Sequence, residues 1–181
     1  STRQAKMLAA AIAGRPGFDL VGLMFYDAQI AGVPDSSSAV RLMKKGSSAE
    51  LLRRRRRVIK AVSQHADLTL INGGGTGSLE VTGQDSHLTE LAAGSGLFVP
   101  TLFDNYDAFE ARPSAYFALT VVRKPTPRMA TCCGGGYIAS GPAGVTRVPK
   151  PVWPENLEYV GTEGAGEVQT PTGCSIFPKE I

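Results

Sequence analysis

The short apolar stretch Asp67-Leu68-Thr69-Leu70-Ile71 runs directly into Asn72-Gly73-Gly74-Gly75-Thr76-Gly77-Ser78. A glycine run of this density continues neither a helix nor a strand. It places a loop at the end of a strand, and everything around it has to be compatible with that. Glycine lets a backbone approach an anion closely and turn several N–H groups toward it. Thr76 and Ser78 add hydroxyl donors. The loop is no Walker A motif, because no Gly-Lys-Ser/Thr follows. It also lacks the acidic residue of a dinucleotide fingerprint. The residues alone leave two readings open: a phosphate-cradling loop, or a flexible turn after a strand.

The surrounding sequence alternates between helix and strand patterns. Residues 2–13 are good helix formers, stopped by Gly14-Arg15-Pro16-Gly17. Residues 18–25 form an almost continuous apolar run, which predicts a strand buried on both faces. Tyr26, Asp27 and Gln29 gather where that strand should end, and residues 31–39 read as loop. Ser47-Ser48-Ala49-Glu50 has the capping-box pattern and predicts a helix from there to about Gln64. Its buried stripe would use Leu51, Leu52, Val58, Ile59 and Val62, with the arginine run 53–57 on the solvated side. Residues 67–71 predict a second strand and 87–92 a third, followed by Ala93-Gly94-Ser95-Gly96.

Strand–helix alternation over residues 1–112 argues for an α/β unit with a parallel sheet or barrel. Residues 113–181 read as mostly β, with strand-like segments at 115–122 and 129–133. Tight turns are expected at Gly134-Gly135-Gly136-Tyr137 and Gly141-Pro142-Ala143-Gly144. Parallel α/β folds bind ligands at the C-terminal ends of their strands. Three such ends carry polar or glycine-rich groups here: Tyr26/Asp27/Gln29, residues 72–78, and residues 94–96.

Composition removes several other classes. Hydrophobic residues make up 43% and charged residues 19%, as in ordinary globular proteins. No apolar run reaches the ~18 residues of a membrane helix, and the N-terminus lacks a signal-peptide pattern. A cytoplasmic protein without membrane contact is expected. The five consecutive arginines lie on one predicted helix, where at most two share a face, and aromatic residues are sparse around them. A nucleic-acid partner is therefore not expected. Cys132, Cys133 and Cys174 form neither a disulfide framework nor a CxxC knuckle. His65 and His87 are too few and too far apart for a histidine zinc site. His65 suits a helix end, and His87 a surface position.

With Gly22-Leu23-Met24-Phe25-Tyr26-Asp27-Ala28-Gln29, the loop at 72–78, Thr89-Glu90-Leu91-Ala92-Ala93-Gly94-Ser95 and Gly134-Gly135-Gly136-Tyr137 in this order, the chain resembles a known family. It is similar to the D-threonine aldolase and D-serine dehydratase branch of the alanine-racemase-like, fold-type III pyridoxal-phosphate enzymes. Bacterial amino acid deaminase/aldolase proteins look most alike. The resemblance implies the C-terminal half of a (β/α)8 barrel over residues 1–112, then an incomplete β-rich domain over 113–181. It implies pyridoxal 5'-phosphate as cofactor and a small amino acid as substrate. Asn72, Gly74, Gly75, Thr76 and Gly77 would bind the cofactor phosphate, and Gly94 and Ser95 would add donors. Tyr26 would face the cofactor ring, with Gln29 close behind, as the catalytic candidates. A homodimer is the expected oligomer.

Two departures from the family pattern matter. The family's cofactor-bearing lysine lies on the first barrel strand, and none of Lys6, Lys44, Lys45, Lys60, Lys124, Lys150 and Lys179 occupies a matching position. The chain is thus expected to be part of a longer protein, or to need a missing N-terminal half or a second subunit, and to be inactive alone. The family's divalent-metal segment aligns with Gly166-Glu167-Val168-Gln169-Thr170-Pro171. Gln169 and Pro171 stand where an imidazole and an anionic ligand would be, so no metal site is expected. Amino-acid lyase, amino-acid racemase and non-catalytic cofactor binder remain the three functional readings.

Overall fold

The computed structural model describes residues 1–110, 112–138, 144, 147–161, 164–175 and 177. The chain forms two compact units: Ser1–Leu97 with Asn105–Glu110, and Phe98–Asp104 with Ala111–Ile181.

The first unit begins with helix α1, Thr2–Ala13. Ser1 caps it: its hydroxyl accepts from the Gln4 N–H, and the Gln4 side chain reaches back to the chain start. Gly14 ends it by donating to the Ala10 carbonyl. Strand β1 is Gly22–Tyr26. Helix α2 spans Ser38–Val62, strand β2 is Leu70–Gly74, and a 3-10 turn at Thr76–Ser78 leads into the single-turn helix α3, Leu79–Thr82. Strand β3 is Glu90–Leu91, followed by a 3-10 turn at Gly94–Leu97. The strands form one parallel sheet in the order β1-β2-β3, with Gly22 opposite Leu70 and Asn72 opposite Glu90. Parallel neighbours need a crossover, and α2 supplies the one between β1 and β2. The segment α2 also packs against α1, where Ala9 is buried.

Several expectations change. Strand β2 is Leu70–Gly74 rather than 67–71: pairing with β1 carries the strand through Asn72, Gly73 and Gly74, so the loop begins only at Gly75. Helix α2 starts at Ser38, nine residues before the predicted start at Ser47. Ser37 is the cap, in extended conformation, with its hydroxyl accepting from the Val40 N–H. The Ser-x-x-Glu pattern at 47–50 is interior helix, and the Ser48 hydroxyl donates to the Lys44 carbonyl one turn back.

Strand β1 is also shorter than the apolar run, because it can extend no further than the strand that pairs with it. It is not buried on both faces. Met24 and Tyr26 are 76% and 63% exposed, and Leu70, opposite Gly22 on the same face, is exposed as well. The other face, with Ile71, is the covered one.

Strand β3 is cut to Glu90 and Leu91 because residues 85–88 are tied into a turn. The Asp85 carboxylate accepts the His87 N–H, and the Asp85 carbonyl accepts the Leu88 N–H.

The arginine run is not wholly solvated either. Arg53, Arg54, Arg56 and Arg57 are exposed, but Arg55 is 4% exposed.

In the second unit, β4 (Val121–Thr126), β5 (Met129–Cys133), β6 (Glu158–Tyr159) and β7 (Gln169–Gly173) form an antiparallel sheet in the order β4-β5-β7-β6. The strand predicted at 115–122 lies later, at Val121–Thr126. It includes Pro125, which an edge strand tolerates because its N–H is not needed. Ala130, Cys174 and Phe177 pack as the core, with Val121 and Leu157 against them. Cys132 and Cys133 lie in β5, Cys132 buried and Cys133 exposed. At Gly134 and Gly135 the backbone takes φ of 68° and 120°, conformations that suit glycine. Of the turn expected at 141–144, only Gly144 falls among the described residues, and the terminal residues 178–181 lie outside them. Among the described residues no helix is long and apolar enough to cross a membrane.

Candidate functional site

The candidate site lies at the C-terminal ends of β2 and β3. The backbone leaves β2 through Gly74, whose φ of +114° is accessible to glycine and costly for other residues. The chain then folds into the 3-10 turn Thr76–Ser78, all of it buried. Thr76 and Gly77 open this turn, and the first N–H groups of a helical turn have no partner within it. The turn seats on Ala31 and Tyr106. A Cβ on Gly77 would lie 2.3 Å from the Ala31 carbonyl oxygen and 2.3 Å from the Tyr106 ring. The Tyr106 hydroxyl donates to that same carbonyl over 3.1 Å.

The second half of the site is the 3-10 turn Gly94–Leu97 after β3. The Ser95 hydroxyl lies 2.7 Å from the Thr76 hydroxyl, and Gly96 approaches the Thr76 side chain. Two loops after neighbouring strands, 19 residues apart in sequence, thus bring two hydroxyls and small residues to one place. Nothing lies within 4 Å of where a Gly94 Cβ would be, so the cup is open on that side. Two hydroxyl groups meeting beside glycines at the start of a 3-10 turn suit a phosphate ester. The residues present therefore fit the phosphate of pyridoxal phosphate.

The other sequence candidates are placed differently. The Tyr26 ring borders the loop, 3.0 Å from where a Gly75 Cβ would be. Asn72 points to the exposed face of the sheet, where its amide donates to Glu90. Gln29 is exposed in the turn after β1, with no hydrogen-bond partner among the described residues. The Ser78 hydroxyl is turned away from the cup. It is 1% exposed and donates to the Asp27 carboxylate and the Gly75 carbonyl, both at 3.2 Å.

A buried ionic network lies beneath the loop. Asp27, 1% exposed, accepts from Arg55 at 2.9 Å, from Thr82 at 2.5 Å and from Ser78. The other Arg55 prong donates to Asp85 at 2.7 Å, and Asp85 lies 3.0 Å from the His87 ring. Burial raises the Asp85 pKa, but the hydrogen bonds from Arg55 and His87 and the Arg55 charge outweigh it and hold the carboxyl below its usual range. The Arg55 guanidinium also lies 5.6 Å from the Phe25 ring centroid. Helical spacing carried the missed signal. Arg55 falls on the stripe of Leu51, Leu52, Val58, Ile59 and Val62, so it faces the core whatever its charge.

In the second unit, Gln169 opens β7 opposite Cys133, and Pro171 sits opposite Thr131. Among the described residues no three His, Cys, Asp or Glu side chains are grouped to hold a metal.

No protein-family model matches the chain, and no curated protein matches it in sequence. Among solved structures, it resembles the crystal structure of a D-threonine aldolase from Filomicrobium marinum. The TM-score is 0.66 and the identity 21%, over 94% of this chain and 44% of that one. This chain thus spans less than half the length of that neighbour. At this identity the likeness is one of fold: a mixed α/β chain with a parallel and an antiparallel sheet.

Proposed function

We propose that the chain is part of a pyridoxal-phosphate enzyme acting on small amino acids, of the D-threonine aldolase or D-serine dehydratase type. In this reading β1, β2 and β3 belong to the second half of a (β/α)8 barrel. The observation that carries it is the meeting of Thr76 and Ser95 at 2.7 Å across two parallel strand ends. The N–H groups of Gly75, Thr76 and Gly77, with the Thr76 and Ser95 hydroxyls, would hold the phosphate. Gly94 leaves room for it. Tyr26, beside the loop, would border the ring. The cofactor, when bound, withdraws electrons from the substrate Cα.

These residues bind and orient; the amine that holds the cofactor and moves the proton must come from elsewhere. None of β1, β2 and β3 carries a lysine. The rest of the barrel, in a longer chain or a partner subunit, would supply it, and a homodimer fits the same need. The metal site of the metal-dependent relatives has no counterpart in Gln169 and Pro171. The absence of a strand lysine favours one other reading, a non-catalytic binder of the same cofactor.

The test is to incubate the full-length protein with pyridoxal phosphate, remove free cofactor, and supply single enantiomers of small amino acids. Retained cofactor with release of ammonia or aldehyde is expected. The opposite enantiomer as product would indicate a racemase. Retained cofactor without turnover would indicate the non-catalytic binder. Failure to retain cofactor would refute the proposal.

A further inference from the structure

Arg55 is almost fully buried, touches no part of the candidate cup, and bridges two carboxylates, Asp27 after β1 and Asp85 in the turn before β3. One prong of its guanidinium donates to Asp27 at the end of β1. Asp27 reaches the glycine loop by three routes. Its carboxylate accepts from Ser78 in the 3-10 turn and from Thr82 in α3. Its N–H donates to the Gly74 carbonyl. Its own carbonyl accepts the Ile30 and Ala31 N–H groups, which shapes the turn whose Ala31 carbonyl abuts Gly77. The other prong donates to Asp85. Asp85 organises the turn before β3 through the His87 and Leu88 N–H groups, and β3 leads to Ser95.

We propose that Arg55 is a positioning residue for phosphate binding: it sets the spacing between the Thr76 and Ser95 halves of the cup through Asp27 and Asp85. This rests on the reading of the loop as a phosphate site. The guanidinium suits the task because its planar fork can hold two carboxylates in fixed directions, which the point charge of a lysine does not do. Burial makes the arrangement stiff, since loss of either contact would leave a charge unpaired in the interior. The Ser78 hydroxyl is the nearest link from the network to the loop, and it is spent on Asp27 rather than offered to a ligand.

The test compares wild-type full-length protein with Arg55→Lys and Ser78→Ala. Affinities are measured for pyridoxal phosphate and for pyridoxal, which lacks the phosphate, with inorganic phosphate as competitor. Circular dichroism and thermal unfolding report folding. The wild type should prefer pyridoxal phosphate and lose that preference to inorganic phosphate. In each folded variant, affinity for pyridoxal phosphate should fall on the order of tenfold, as when supporting hydrogen bonds around a ligand site are removed. Affinity for pyridoxal should be unchanged. A purely structural role would lower the unfolding temperature without changing this ratio, and that result overturns the inference. Should Arg55→Lys fail to fold, Ser78→Ala decides. Retained preference in the folded variants overturns the positioning role alone. No phosphate-dependent binding by the wild type overturns the cofactor reading and this inference with it.

Discussion

The Arg55 guanidinium donates to the Asp27 carboxylate over 2.9 Å, with the two side chains only 4% and 1% exposed. Asp85 takes the other side of the same guanidinium. A cation between two buried anions is costly to assemble and more costly to break. Replacing Arg55 with Leu leaves two uncompensated carboxylates in the interior. The expected loss is about 3–5 kcal/mol of unfolding free energy, read from urea denaturation at neutral pH. An unchanged midpoint would show that the pair is not formed in solution.

Acid should weaken the same network. The folded Asp85 carboxyl sits below its usual value, so the unfolded chain binds a proton there more readily than the folded one. Its contribution is full above the unfolded pKa, about 4, and is lost as pH falls through the lower folded value. Asp35 acts in the same direction. Burial raises it, but hydrogen bonds from Lys44 and the Asp107 N–H, together with the Lys44 and Arg41 charges, hold it down. Urea midpoints should therefore fall steeply below about pH 4. Asp85→Asn should be less stable than wild type at neutral pH, with the gap narrowing as the pH drops. A gap that stays constant would contradict the assignment.

Gly77 and Gly94 should respond oppositely to the same substitution. In Gly77→Ala the new methyl meets the Ala31 backbone oxygen at 2.3 Å, and backbone cannot swing aside. A cost of about 1–3 kcal/mol is expected. Gly94→Ala meets nothing within 4 Å, so its stability should stay within about 0.5 kcal/mol of wild type. Parallel denaturation curves of the two variants decide this.

Thr76→Val keeps the shape of the side chain and removes the hydroxyl that meets Ser95. A hydrogen bond of this type contributes about 1 kcal/mol. Affinity for pyridoxal phosphate should fall roughly fivefold, the equivalent of that energy. Isothermal titration at fixed ionic strength measures it. Equal affinity would remove Thr76 from the phosphate grip.

Local chemistry by itself determined a good part of this molecule. The helix over 2–13 follows from its helix formers and its glycine stop, and Gly74 and Gly77 follow from a loop that must turn and pack tightly. The α/β alternation follows from apolar runs broken by turn residues, but the second strand does not sit on its apolar run: pairing with β1 carries it through Asn72, Gly73 and Gly74. The start of α2 did not follow either: the capping pattern at 47–50 pointed to Ser47, whereas the helix begins at Ser38 with Ser37 as its cap. The burial of Arg55 was half-legible. Helical periodicity places it on the core stripe, but its charge argues for water until two carboxylates from distant segments meet it. The exposure of Met24 and Tyr26 depended on tertiary structure as well, since an apolar run does not say how many of its faces are covered. Above all, sequence placed Thr76 and Ser95 on two separate loops, and only the parallel pairing of β2 with β3 brought their hydroxyls together. Composition and spacing act along the chain, whereas a ligand cup depends on which strand ends lie side by side.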